Sequence, residues 1–141
     1  MNLSNIQNYT DRDIFNNVMD LLIQQNAKSQ DAKGRCLYRS DEGRKCAVGL
    51  IMTEYNPNYE NNGIRTIVEA DYVNATSKIT LLEVLQAVHD LQLPEEWPII
   101  KTELFEILFN HRPVNDIKVA YDFYAMQNIL AYKAKNGASG K

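Results

Sequence analysis

The sequence predicts an α+β fold that is mostly helical, with about four helices and one small antiparallel β-hairpin packed on them. Apolar residues recur at helical spacing in four segments, at about 11–27, 80–91, 94–110 and 116–135. Two short runs, CLYRS and RKCAV, flank a turn at 41–43 whose glycine suits the left-handed position of a three-residue hairpin loop. The chain has 141 residues, of which 45% are hydrophobic, and this predicts one core.

The first predicted helix, at about 11–27, follows a polar segment that we expect to be a loose N-terminus at 1–9. Thr10 is its predicted N-cap, and Asp13 stands at the third helical position, as in an approximate capping box. We expect one globular domain over 1–135 and a flexible tail at 136–141.

The predicted hairpin contains the only two cysteines of the chain. In the register that a three-residue loop sets, Ser40 faces Arg44 and Tyr38 faces Cys46. One face then carries Cys36, Tyr38, Cys46 and Val48, and the other carries Arg35, Leu37, Arg39, Lys45 and Ala47. The thiols are therefore expected to point inward and the guanidinium groups outward.

The remaining elements follow from caps and breakers. The segment 64–73 fits a strand or a short helix, and periodicity does not decide between them. Thr80 and Glu83 form a predicted capping box for a helix that ends near Leu91. Pro94 begins the next helix, which ends near Asn110. The last helix, at about 116–135, lies in a predicted C-terminal addition at 114–135.

Charge and hydropathy limit the classes of function. The formal net charge is −3, which argues against non-specific DNA binding because that needs a surplus of cations. No apolar run is as long as a membrane span, and the first residues do not resemble a secretory signal. We therefore expect a cytoplasmic protein, in the host cytoplasm if a phage encodes it, with reduced cysteines.

Three motifs carry a resemblance to a known group of proteins. The chain contains CLYR followed by GRKCAVG, then Leu85-Gln86-Ala87-Val88-His89-Asp90, and then Pro94-Glu95-Glu96-Trp97. Over about 13–108 this pattern resembles a family of small phage and bacterial proteins that has no established activity. The resemblance implies an origin in a phage or another mobile element.

The cysteines and histidines permit three kinds of chemistry. Cys36, Cys46, His89 and His111 have the side-chain types of a zinc site, although nine residues separate the cysteines. A thiolate at Cys46 with His89 as base and Asp90 as orienting group would resemble a nucleophilic site. Two buried thiols and a histidine that holds the hairpin backbone on its helix are the commoner arrangement. A disulfide would be strained, because the thiols are diagonal in the preferred register.

The cationic face is the strongest candidate for a contact surface. Residues 33–45 contain five cations and two carboxylates, a formal charge of +3 in a chain whose total is −3. Guanidinium forks suit phosphate and carboxylate groups. The predicted contact residues are Arg35, Arg39, Arg44 and Lys45, together with the loop tyrosines Tyr55 and Tyr59.

The sequence therefore predicts a non-enzymatic binding protein without a cofactor. It would act on a host process, for example by inhibiting a defence system, by binding a host protein or a phosphate-bearing small molecule. Two alternatives stay open. One is a hydrolase or transferase that uses Cys46 with His89. The other is an oligomeric structural or interaction protein, in which the tyrosines of 116–135 form a homo-oligomer interface.

Overall fold

The computed structural model describes residues 1–136, which form five α-helices and no β-strand. The helices are α1 (Asp11–Gln25), α2 (Ile64–Asp71), α3 (Ile79–Leu91), α4 (Trp97–Phe109) and α5 (Phe123–Lys135). Short 3₁₀ segments span Ile6–Asn8, Gly49–Ile51, Pro57–Asn61, Val73–Lys78, Pro94–Glu96 and Val114–Asp116. The predicted α+β class is therefore wrong, and the segment whose type stayed open forms α2. The tail predicted for 136–141 lies, from Gly137 onward, outside the described residues.

Helix α1 begins as its cap predicted. The Thr10 hydroxyl accepts a hydrogen bond from the Asp13 amide at 3.1 Å. The buried stripe of the helix comprises Ile14, Phe15, Val18, Met19 and Leu22. The helix ends at Gln25, because Asn26 adopts a left-handed conformation (φ 52°) that asparagine tolerates.

Helix α3 is the centre of the fold and packs against α1, α2 and α5. Eight of its thirteen residues are buried, as expected of a helix surrounded by other elements. The Thr80 cap predicted for it is wrong. The 3₁₀ segment Val73–Lys78 leads directly into Ile79, so Thr80 already lies inside the helix, where no cap is needed.

Helix α4 has the predicted buried stripe, but α5 starts later than predicted. The carboxylate of Glu103, on α4, accepts hydrogen bonds from the amides of Lys118 and Val119 at 2.8 and 3.0 Å. These bonds hold the C-terminal strap, defined as residues 117–121, against α4 and outside a helix. Asp122 then caps α5 by accepting from the Tyr124 amide at 2.8 Å.

The first residues pack on the domain, whereas the sequence predicted a loose N-terminus. Leu3 and Ile6 are fully buried, and the Leu3 amide donates to the Ile51 carbonyl at 2.7 Å. Among residues 1–136, no helix combines the length and the apolar character that a bilayer span requires.

The predicted β-hairpin is wrong. Its register survives as one isolated bridge between Arg39 and Lys45, while Cys36 pairs with Gln30 instead of facing Val48. The chain turns too soon on both sides of this bridge. A tight turn at 31–35 precedes it, and the 3₁₀ segment Gly49–Ile51 follows it. We call residues 29–48 the cysteine loop.

Candidate functional site

Side chains from other segments hold the cysteine loop where a strand ladder was predicted. Gln25 donates to the Lys45 carbonyl at 2.8 Å and accepts from the Lys45 amide at 3.0 Å. Glu60 accepts from the amides of Tyr38 and Arg39 at 2.9 and 3.3 Å. These side chains take the hydrogen bonds that a neighbouring strand would make, so three amides and one carbonyl of the loop are satisfied without a sheet.

Polar side chains of α3 also bind the backbone of the cysteine loop. Gln86 accepts from the Val48 amide at 3.1 Å and donates to Asp90 at 2.9 Å. His89 accepts from the Ser29 amide through Nε2 at 3.0 Å, and its Nδ1 lies 2.7 Å from the same Asp90 oxygen. Residues 89 and 90 follow residue 86 by three and four positions, so each lies beside Gln86 on the surface of the helix.

The hydrogen bonds of His89 determine which form of the imidazole is present. An amide N–H can only donate, so Nε2 must be the acceptor and Nδ1 carries the proton given to Asp90. Trp97 stacks on the imidazole with ring centroids 5.8 Å apart and donates to the Val88 carbonyl at 3.2 Å. Both nitrogens of this fully buried histidine are thus engaged.

The structure separates the four predicted zinc ligands. Ligand atoms of Cys36, His89 and Asp90 lie within 4.8 Å of one another, and this is the one such cluster within residues 1–136. Cys46 and His111 are not members of it. A metal in the cluster would need the lone pair of His89 Nδ1, so the imidazole proton would move to Nε2. Two donors, Nε2–H and the Ser29 N–H, would then face each other. The observed network therefore does not fit a metal.

Both cysteines are unbridged and poor thiolate candidates. Burial raises the pKa of the Cys46 thiol to about 12, and its sulfur accepts from the Gly49 amide at 3.4 Å. Burial and the charge of Asp90 raise the pKa of Cys36 to about 11. Neither thiol therefore ionises appreciably near neutral pH.

The predicted cationic residues lie on the outside of the cysteine loop. Arg35 is paired with Asp31 at 2.7 Å. The Arg39 guanidinium lies over the ring of Tyr55, 4.6 Å from its centroid. The side chain of Arg44 is exposed and that of Lys45 half-buried, and in the described part of the chain Arg39, Arg44 and Lys45 form no ion pair. Three of the four predicted cations therefore remain available to a partner.

The tyrosines predicted to form interfaces have different environments. Tyr132 is buried and donates to Asp11, while Tyr121 is half-buried and donates to Glu103 at 3.1 Å. Tyr124 is exposed together with its neighbour Phe123. Of the surface predicted within 116–135, the large apolar side chains that reach solvent are Phe123 and Tyr124 at the start of α5 and, to a smaller extent, Leu130 further along it.

Comparison of the chain with protein-family models, curated proteins and solved structures produced no match. Sequence reasoning did not identify the residues that hold the cysteine loop, because they carry no recognisable pattern. Gln25 and Glu60 are isolated polar side chains with no periodic signal. Gln86 was visible only as part of the motif that also contains His89 and Asp90.

Proposed function

We propose that this chain is a non-enzymatic binding protein whose cysteine loop presents cations to an acidic or phosphate-bearing partner. The observation that carries the proposal is a rigidly held loop with unneutralised charges. Its backbone is fixed by side chains of α1, α3 and Glu60. Arg39 and Arg44 nevertheless stay exposed and outside ion pairs within residues 1–136.

Preorganisation supports binding as the purpose of this arrangement. A loop that is already ordered loses little conformational entropy on association, so more of its contact energy appears as affinity. Arg39 is further restrained by the Tyr55 ring beneath it. A guanidinium that is fixed but still open to solvent offers paired N–H groups to a phosphate or carboxylate.

Thiol catalysis is the weaker proposal on the same geometry. Cys46 is fully buried, its pKa is raised to about 12, and the Nε2 atom that would take its proton already accepts from Ser29. His89 thus has the environment of a structural histidine. The resemblance to phage proteins makes a host protein, such as a defence component, the first partner class to test.

The test compares capture of partners by matched variants. Tagged wild-type protein and the variants Arg39→Glu, Arg44→Glu and Cys46→Ala are each incubated with bacterial lysate. Bound proteins are identified by mass spectrometry, and bound nucleotides by extraction and chromatography. We expect one partner retained by wild type and Cys46→Ala and lost from both arginine variants.

Lys135→Glu is the matched control, because it reverses an equally exposed charge at the end of α5, away from the loop. Circular dichroism confirms that each variant is folded. Loss of the partner in Cys46→Ala with retention in the arginine variants would overturn the proposal in favour of thiol chemistry. Equal loss in Lys135→Glu would show that net charge, and not the loop, determines capture.

A further inference from the structure

A second surface of opposite charge lies beside the cysteine loop. It is an open cleft of about 770 Å³, within the size range of small-molecule sites. Three tyrosines, Tyr55, Tyr59 and Tyr72, line it together with the acidic residues Glu54 and Asp71. We call it the tyrosine cleft.

The charged groups of the tyrosine cleft are all acidic. Among the residues that line it in the described chain, none is Lys, Arg or His. Neither Glu54 nor Asp71 has a cationic partner within 4.0 Å in residues 1–136. These two carboxylates therefore disfavour a phosphate-bearing ligand inside the cleft, while Arg39, over the Tyr55 ring, is a cation at its border.

The tyrosine hydroxyls strengthen this selection because each one donates to the protein itself. Tyr59 donates to Asp71 at 2.6 Å, and Tyr72 donates to the Glu54 carbonyl at 3.1 Å. Tyr55 donates to Glu60 at 2.6 Å. With their protons committed, the hydroxyls can offer a ligand only oxygen lone pairs, and the half-buried rings of Tyr55 and Tyr59 add electron-rich faces, whereas Tyr72 is buried. The wall therefore consists of acceptors.

The protein already uses one of these rings to hold a cation, since the Arg39 guanidinium lies over Tyr55. A metal ion fits the cleft less well than an organic cation. Glu54 and Asp71 belong to no cluster of three or more His, Cys, Asp or Glu ligands among residues 1–136, and hard metal ions prefer several converging carboxylates.

We propose that the tyrosine cleft binds an organic ammonium ion, with Asp71 and Glu54 as counter-charges and the tyrosine rings as its walls. A quaternary ammonium group would be held by the rings and the two charges. A primary ammonium group would in addition donate hydrogen bonds to Asp71 and the phenol oxygens. This site borders the cationic loop at Tyr55, over which Arg39 lies, but it does not depend on the function proposed above.

The test is a titration of the ¹⁵N-labelled full chain followed by amide chemical shifts. The probes are choline, its neutral isostere 3,3-dimethyl-1-butanol, spermidine and inorganic phosphate. We expect choline or spermidine to shift the amides of 53–56, 58–59 and 71–72, with an affinity roughly tenfold above that of the neutral isostere. Phosphate should leave the amides of 71 and 72 unshifted, and a shift at 55 alone would report phosphate at Arg39, which lies over the Tyr55 ring.

The variant Asp71→Asn keeps an oxygen that can accept from Tyr59 but removes the charge, and we expect it to weaken ammonium binding roughly tenfold. Glu69→Gln is the matched control, because it neutralises an exposed carboxylate on the same helix that does not line the cleft, and it should bind as wild type does. Equal binding of the isostere, unchanged affinity in Asp71→Asn, or absence of shifts with both ammonium probes at millimolar concentration would overturn the proposal.

Discussion

Replacing His89 by asparagine should release the cysteine loop from α3. The imidazole Nε2 is the acceptor for the buried Ser29 amide, and an asparagine at 89 is too short to reach that position. The substitution also removes the ring that stacks on Trp97. Two losses therefore determine the effect: an amide left without its acceptor, and a lost aromatic contact.

Their size follows from the structure. A buried donor without a partner costs about 1–3 kcal/mol, and a stacked aromatic pair contributes about 0.5–1.5 kcal/mol beyond its area. We therefore expect His89→Asn to lower the free energy of unfolding by about 3 kcal/mol. With a urea dependence of about 2 kcal/mol per molar, the midpoint of unfolding would fall by about 1.5 M.

The assay combines urea unfolding with hydrogen exchange at the Ser29 amide. In wild type this amide should exchange slowly, and in His89→Asn it should exchange much faster than the amides within α3. The control is His111→Asn, the same chemical change at an exposed residue with φ 63°, a conformation that asparagine tolerates. If His89→Asn had the urea midpoint of wild type, or if its Ser29 amide stayed protected from exchange, the structural role assigned to His89 would be refuted.

Two further predictions concern a close contact and a buried carboxylate. A Cβ at Gly49 would lie 2.0 Å from the Tyr38 carbonyl oxygen, so Gly49→Ala should destabilise by at least about 2 kcal/mol, whereas Gly63→Ala meets open space and should change the urea midpoint little. Burial opposes the charge of Glu103, but the amides of the C-terminal strap outweigh burial and lower the pKa of the carboxyl. The stabilisation that the ionised Glu103 gives to the fold is therefore complete above the unfolded pKa of about 4.3. It is lost as the pH falls through the lower folded pKa. The acid unfolding curve of Glu103→Gln should lack this pH-dependent stabilisation. Acid unfolding identical to that of wild type would contradict the role assigned to Glu103.

Sequence predicted the elements whose signals are local. The Thr10 cap and the apolar stripe of α4 are set by residues within one or two turns, so both could be located from spacing alone. The start of α5 could not, because it depends on Glu103, which is 15 and 16 residues upstream of the two amides that it holds. Apolar spacing continues through the C-terminal strap, but two side-chain hydrogen bonds keep that strap out of a helix.

The candidate site was predicted in composition but not in geometry. A register with Arg39 opposite Lys45 was inferred from the turn, and one bridge of that register exists. What sequence could not predict is that Gln25 and Glu60 would take the amides that a longer strand pair needs. A strand can be recognised from alternating residue types along the chain. A single side chain that takes the hydrogen bonds of a strand produces no such pattern, because it is one residue at an unrelated position.

The cysteine loop and the tyrosine cleft share one structural joint. Glu60 accepts from the amides of Tyr38 and Arg39 in the loop and from the hydroxyl of Tyr55 in the cleft, and Arg39 lies over the Tyr55 ring. Surfaces of opposite sign are thus side by side, and at physiological ionic strength their fields are screened beyond about 8 Å. On the two proposals above, each surface would select its ligand through contacts and not by long-range attraction. Selection by contact requires side chains in fixed positions, and the Glu60 carboxylate restrains both the loop backbone at Tyr38 and Arg39 and the Tyr55 hydroxyl in the cleft.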